Sequence, residues 1–287
     1  MGITGEREYP LDALLVPSAA EVESSTDASK FPALMLFAER AAAVRPGFRL
    51  TKDNAGLIRD VASLVDGVPL ALELAASRLK TMPLAELCAR LGDESELLAR
   101  GTVDGPARHR TVSEAVGWSY DLLDHPEREL FRCVGVFRGT FDLDSVVAVA
   151  GRPAMEVTDS LFALVEASLV NRPPVEGPPR YGLLETVRHF ARNRLELEDE
   201  FESAAARHVA HYAALVEEAE PKLTQVGQTA WLDRLEQERP NLFAALRWAE
   251  ELGDWDAALM MAGRLWRFWQ LRGPLAEGRT WLEELLA

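Results

Sequence analysis

Leu64-Val65-Asp66-Gly67-Val68-Pro69-Leu70-Ala71-Leu72-Glu73-Leu74-Ala75-Ala76-Ser77-Arg78-Leu79 reads as a helix end, a tight turn and the start of a second helix. Gly67 carries no Cβ, so it can take the left-handed conformation that closes a helix. Pro69 suits the first turn of the next helix, where a missing N–H costs nothing. Leu70, Ala71, Leu72, Leu74, Ala75 and Leu79 make that helix apolar around most of its girth, which predicts a central position. By spacing alone, this is a helix–turn–helix corner of an α-domain.

Outward from this corner the chain reads as mainly α. On the N-terminal side, Leu34, Phe37, Ala38 and Ala41 share one helical face. Thr51-Lys52-Asp53-Asn54 caps a helix carrying Ile58, Val61, Ala62 and Val65. On the C-terminal side, Met82-Pro83-Leu84 opens a short helix expected to end near Gly92. Residues 31–103 thus form a helical bundle. Asp104–Arg110 reads as a polar linker.

Residues 111–197 have the pattern of a winged helix with a small β-hairpin. Helices are expected around Val112–Leu123, after Pro126, from Phe141 and from Thr158. Two short strands are expected near Leu169–Arg172 and Arg180–Leu183, joined by the proline-rich tip Pro173–Pro179, with a last helix from Glu185. The helix in the recognition position, Thr158 to Ser168, holds Asp159 and Glu166 and neither lysine nor arginine. A groove-reading helix needs donors for base edges and cations for phosphates, so direct DNA contact is not expected from it.

Residues 198–287 read as helical throughout, with separate helices at Phe201–Glu218, Ala230–Leu235 and Asn241–Ala249. Small residues at helix crossings and tryptophans between them resemble tetratricopeptide-type pairs, and this end of the chain holds six of the seven tryptophans. Such arrays present concave surfaces, which points to a protein partner or self-association through this region. His208 and His211 stand three apart, a spacing two metal ligands can share, but no third ligand is evident. Two ordinary helix histidines are the expectation.

The chain has 287 residues, 48% of them hydrophobic and 27% charged, and a net charge of −15. Such acidity repels phosphate backbones and argues against non-specific nucleic-acid binding. Cys88 and Cys133 sit among apolar residues, as buried free thiols do. No apolar run is long enough to span a membrane and no secretory leader is apparent, so a cytoplasmic location is expected.

Three segments carry a family likeness. D-G-V-P-L-A-L-E-L-A-A-S-R-L at 66–79, W-S-Y-D-L-L-D at 118–124 and Y-G-L-L-E-T-V-R-H-F-A at 181–191 resemble the NB-ARC or STAND signal-transduction ATPases. The likeness is to the bacterial branch seen in actinobacterial AfsR/SARP and LuxR-like regulators. It implies four parts: an exit segment from a nucleotide-binding sheet at 1–30, including Gly5–Leu11; a helical subdomain at 31–103; a winged helix at 104–197; and helical repeats at 198–287. It also implies a regulatory switch, commonly of transcription, in which ATP or ADP state is coupled to a partner sensed by the repeats.

In that likeness Gly67 and Pro69 contact the adenine, with Glu73 a weaker neighbour one turn on. Arg108 and Arg110 are the cations available to reach a phosphate, the alternative being a solvated interdomain strap. Relatives carry Met-His-Asp at the start of the last winged-helix helix, where the His touches the β-phosphate. Here the positions read Leu183, Leu184 and Glu185, which removes that contact and leaves Glu185 a helix-capping role. No G-x-x-x-x-G-K-[ST] phosphate loop occurs, so no catalysis is expected of this chain and the sheet is expected upstream of it. A helical-repeat scaffold without nucleotide is the alternative function, and a DNA-binding winged helix the third.

Overall fold

The computed structural model describes residues 13–18, 21–22, 30–98, 107–174, 177–273 and 275–286; of residues 93–98, 107–112, 114, 275–277 and 284–286 it describes the backbone alone. Most of the expected exit segment, Gly5–Leu11 included, lies outside these residues. The chain divides into two compact units, Met1–Asp121 and Leu122–Ala287.

The first unit is a helical bundle of α1 (Pro32–Val44), α2 (Lys52–Leu64), α3 (Pro69–Ser77), α4 (Leu84–Leu98) and α5 (Ala107–Asp121). Helix α3 is the hub, packing on α1, α2 and α5. Leu72, Leu74, Ala71 and Ala76 on it are fully buried, as its all-round apolar surface predicts. The Thr51 N–H donates to the Asn54 side chain at 2.8 Å, capping α2. Helix α4 runs through Gly92 to Leu98 rather than stopping near the glycine. Ala107–Arg110, expected in a linker, form the first turn of α5. That helix is held by Arg78, whose Nη2 donates to the Ser119 carbonyl at 2.8 Å and whose guanidinium lies 5.8 Å from the Trp118 ring centre.

The quoted corner folds as read. Asp66 and Gly67 both have positive φ, the Gly67 N–H closes back on the Ala62 carbonyl at 2.9 Å, and Pro69 starts α3. The segment 13–18 crosses the turn, with the Leu14 N–H donating to the Gly67 carbonyl at 2.9 Å. A Cβ on Gly67 would stand 2.2 Å from the Leu14 carbonyl oxygen. Gly67→Ala should therefore cost about 1–3 kcal/mol through backbone strain, plus displacement of the 13–18 segment. Urea denaturation of the variant checks this, and an unchanged midpoint would contradict it.

The second unit contains the winged helix and the helices after it. Its elements are α6 (His125–Cys133), β1 (Thr140–Phe141), α7 (Leu143–Ala150), α8 (Ala154–Glu166), β2 (Tyr181–Gly182), α9 (Glu185–Leu197), α10 (Phe201–Lys222), α11 (Gln228–Glu251), α12 (Trp255–Arg264), α13 (Trp266–Leu271) and α14 (Leu275–Leu286). β1 pairs antiparallel with β2, Thr140 opposite Gly182 and Phe141 opposite Tyr181. The hairpin thus differs from the one expected. Leu169–Arg172 contributes a single bridge, Asn171 to Gly182, and β2 takes its partner from the residues just ahead of α7. Helix α8 starts at Ala154 behind Pro153, a turn earlier than the Thr158 cap.

Residues 230–235 and 241–249 are two stretches of one helix, α11, which continues through Pro240. Proline removes one donor and leaves the Glu236 carbonyl without its helical partner. The helix persists because Leu235, Glu238, Asn241, Leu242 and Ala245 bury one continuous face across the proline. Helices α10 to α12 pack on one another in succession, and α10 also packs on α7. A single aromatic row, Phe141, Phe137, His208 and Tyr212, runs from the hairpin into α10, with Phe137 and Phe141 centroids 4.5 Å apart. Winged helix and following helices therefore share one core. Gly135 permits the close approach: a Cβ there would lie 2.8 Å from the backbone nitrogen of Arg192 on α9. Among the described residues, no helix is long and apolar enough to cross a membrane.

Candidate functional site

Two features of the second unit bear on function: the outer face of α8 with the wing, and a buried polar joint behind them. The α8 face shows Met155, 73% exposed, Phe162, 50% exposed, and the carboxylates Glu156, Asp159 and Glu166. The wing adds the exposed Arg172. Arg152, just ahead of α8, is engaged by Glu129 and Glu156, each at 3.5 Å, and donates to the Pro126 carbonyl at 3.0 Å. A cleft of about 570 Å³ lies between Phe162, the wing prolines Pro178 and Pro179, and Arg234 and Gln237 of α11. The face is acidic, as read from its residues, and the structure adds the exposed apolar side chains Met155 and Phe162 to it.

The joint is built on Arg180, 4% exposed at the end of the wing, and Glu238, 3% exposed on α11. The Arg180 Nη1 donates to Glu238 Oε1, Nη2 donates to the Thr140 carbonyl at 2.7 Å, and Nε donates to Thr140 Oγ1 at 3.3 Å. The other carboxylate oxygen of Glu238 accepts from the Tyr212 hydroxyl and from Asn241 Nδ2, both at 3.1 Å. Asn241 Nδ2 also reaches the Thr140 carbonyl at 2.8 Å, and its Oδ1 accepts the Arg138 N–H at 2.8 Å. Further along α11, Trp248 Nε1 donates to the Val136 carbonyl at 3.1 Å.

Taking two charges out of water costs several kcal/mol per ion, so such a pair persists only when its remaining hydrogen-bonding groups are met. Here they are met by groups from the 134–142 segment, α10 and α11. Burial, reinforced by the Glu238 charge, pushes the Tyr212 phenol well above its ordinary range, so it stays a donor. Asp142 closes one end of the joint 3.8 Å from Arg180. Burial raises its pKa, but hydrogen bonds from the Ser145 side chain and backbone and the Arg180 charge outweigh that, so it is held low. His211 Nε2 lies 3.1 Å from the same Ser145 hydroxyl.

The residues singled out from sequence fall in both units. Gly67 is buried and its open side is filled by the Leu14 backbone; Pro69 is exposed; Glu73 pairs with Arg40 at 3.2 Å. Arg108 and Arg110 lie in the first turn of α5, and their side chains are outside the described residues. Leu184 is the N-cap residue of α9 and is exposed. Glu185 accepts from both Arg188 Nε, at 2.8 Å, and Arg188 Nη2, and Arg138 Nη1 lies 3.5 Å away. The Arg188 hydrogen bonds hold its carboxyl below the usual range. Glu185 thus stands in the first turn of its helix but makes no capping hydrogen bond among the described residues, its carboxylate being taken by Arg188, and neither it nor Leu184 supplies a cation to a phosphate.

His208 packs between Phe137 and Tyr212, while His211 meets the Tyr212 ring edge-on, centroids 4.9 Å apart, with its Nε2 at Ser145. Among the described residues no three His, Cys, Asp or Glu side chains cluster as a metal site. Cys133 is buried and its thiol is pushed up to about 11 by desolvation; Cys88 is half-buried. The joint itself was not anticipated from sequence. Its signal is Glu238 standing on the apolar stripe Leu235–Leu242–Ala245, where a carboxylate demands a buried partner.

Residues 123–196 match the model of the winged helix-turn-helix domain family. A relative in Mycobacterium tuberculosis, named "Putative HTH-type transcriptional regulator Rv0890c", is 37% identical over 257 residues, covering 88% of this chain and 29% of the relative. An "Uncharacterized protein Rv0894" of the same species is 35% identical over 191 residues, covering 62% of this chain and 47% of that protein. The "Transcription activator GutR" of Bacillus subtilis is 24% identical over 159 residues, covering 53% of this chain and 19% of the activator. The chain thus spans less than a third of the length of the first of these. The winged-helix reading is established by the match and the fold together.

Proposed function

We propose that this chain is part of a cytoplasmic transcriptional regulator, in which the winged helix passes the state of the following helices to the rest of the protein. The observation that carries this reading is the buried Arg180–Glu238 joint, which ties the hairpin to α10 and α11. A domain that only rests beside its neighbour has no need of a desolvated ion pair. Helices 198–287 act as tetratricopeptide-like pairs that meet a protein partner or a second copy. In the NB-ARC-like form of this reading, ATP or ADP would meet the exposed ring of Pro69 and take its phosphate contacts from outside this chain. Gly67, Glu73, Leu184 and Glu185 offer no cationic side chain to a phosphate.

A second reading has α8 and the wing contact DNA directly, and the family match favours it. The carboxylates Glu156, Asp159 and Glu166 oppose it. Fluorescence anisotropy with a labelled duplex at 50 mM salt separates the two. The first reading predicts no saturable complex tighter than about 10 μM. A salt-sensitive complex below about 1 μM, weakened by Arg172→Ala, would establish the second.

A further inference from the structure

Pro240, Phe243, Arg247 and Trp248 of α11, Arg138 ahead of β1 and Trp281 of α14 line a cavity of about 500 Å³. Its walls are aromatic: Phe243 and Trp281 stack with centroids 6.3 Å apart and planes inclined by 26°. The charged groups that line it, Arg138 and Arg247, are cationic. The Arg247 guanidinium lies 5.2 Å from the Trp281 ring centre and has no carboxylate within 4 Å among the described residues. Among the described residues Arg138 has Glu185 alone as an ion-pair partner, at 3.5 Å, and that carboxylate is already held by Arg188. In a chain of net charge −15, two underpaired guanidinium groups at one aromatic cavity are a local reversal of sign.

We propose that this cavity binds a small aromatic carboxylate, its ring on the Phe243–Trp281 pair and its anionic group between Arg247 and Arg138. The volume falls within the range of small-molecule sites, which are mainly apolar with a few placed polar groups. Guanidinium groups match carboxylates bidentately, and aromatic walls favour offset stacking. The floor is pre-formed, since Trp248 is tied to Val136 and the Arg138 backbone to Asn241. A preorganised site loses less on binding. Asn241 also belongs to the Arg180–Glu238 joint, so an occupant would press on the same segment that the joint holds. The site goes beyond the proposed function and stands whether or not the winged helix touches DNA.

Isothermal titration of the chain with 1-naphthoate and with indole-3-acetate tests it, with neutral 1-naphthamide as control. At least one carboxylate is expected to bind with Kd below about 1 mM, and the matching amide at least about tenfold more weakly. Arg247→Gln should lower carboxylate affinity about tenfold and leave amide binding unchanged. Arg247 is exposed, so the variant should keep its fold, with circular dichroism as the check; Arg138→Gln reads the same contrast from the other side of the cavity. Failure of both carboxylates to bind below 1 mM would overturn the proposal. So would equal binding of acid and amide, or undiminished binding by both arginine variants.

Discussion

Glu238→Ala is expected to destabilise the second compact unit by about 3–5 kcal/mol, since it leaves the Arg180 guanidinium buried and uncompensated. The change also strips the Tyr212 hydroxyl and Asn241 of an acceptor. Arg180→Ala should cost a similar amount by orphaning the carboxylate. The double replacement Arg180→Met with Glu238→Leu should cost less than either single change, because it removes both charges and keeps apolar volume. Guanidinium denaturation followed by tryptophan fluorescence measures all three. Single-variant losses below about 1 kcal/mol would mean that the pair is solvated and does not hold the winged helix to α11.

The second large effect is acid lability through His208. Its ring is buried between Phe137 and Tyr212, with neither nitrogen hydrogen-bonded among the described residues. Desolvation lowers its pKa to about 3, with the neighbouring His211 charge acting in the same direction. In the unfolded chain an ordinary histidine takes up a proton near pH 6.5. Between these two values the unfolded state binds the extra proton, so stability is complete above about pH 6.5 and falls with pH down to about 3. The slope is about 1.4 kcal/mol per pH unit, several kcal/mol over the window. Asp142, whose carboxyl is held low, adds loss in the same direction at more acidic pH. His208→Phe keeps the aromatic packing and removes the titration. Denaturation at pH 7 and pH 5 should show the variant gaining about 2 kcal/mol relative to the native chain; parallel losses in both would contradict the assignment.

What the sequence made legible was local. The Gly67–Pro69 corner, the Thr51–Asn54 cap and the apolar face of α1 are decided by residues within a turn of one another, and each is where it was read. The misses are non-local. β1 is two residues long, and Thr140 becomes strand because Gly182, far along the chain, pairs with it. Pro240 reads as a break, yet α11 crosses it because the face on either side of it is anchored, Glu238 by Arg180 and Tyr212 and Asn241 by Thr140. The Arg180–Glu238 pair spans 58 residues and has no local period to announce it. The acidic face of α8 was legible from composition, whereas its start at Ala154 was hidden by the stronger cap signal at Thr158. Of the residues the family likeness nominated, Gly67 is filled by the Leu14 backbone and Glu73 by Arg40, contacts that no pattern within residues 64–79 encodes.

The central claim is that the winged helix and the helices beyond it move as one piece because of the joint. Hydrogen exchange by mass spectrometry on the native chain and Glu238→Gln tests this most directly. Glutamine keeps the shape and removes the charge. Loss of the ion pair should raise exchange at 138–142 and 180–182 together with the middle of α11, leaving α6 and α8 protected. Unchanged exchange at the hairpin, with any effect confined to α11, would contradict the account and leave the winged helix an independent module.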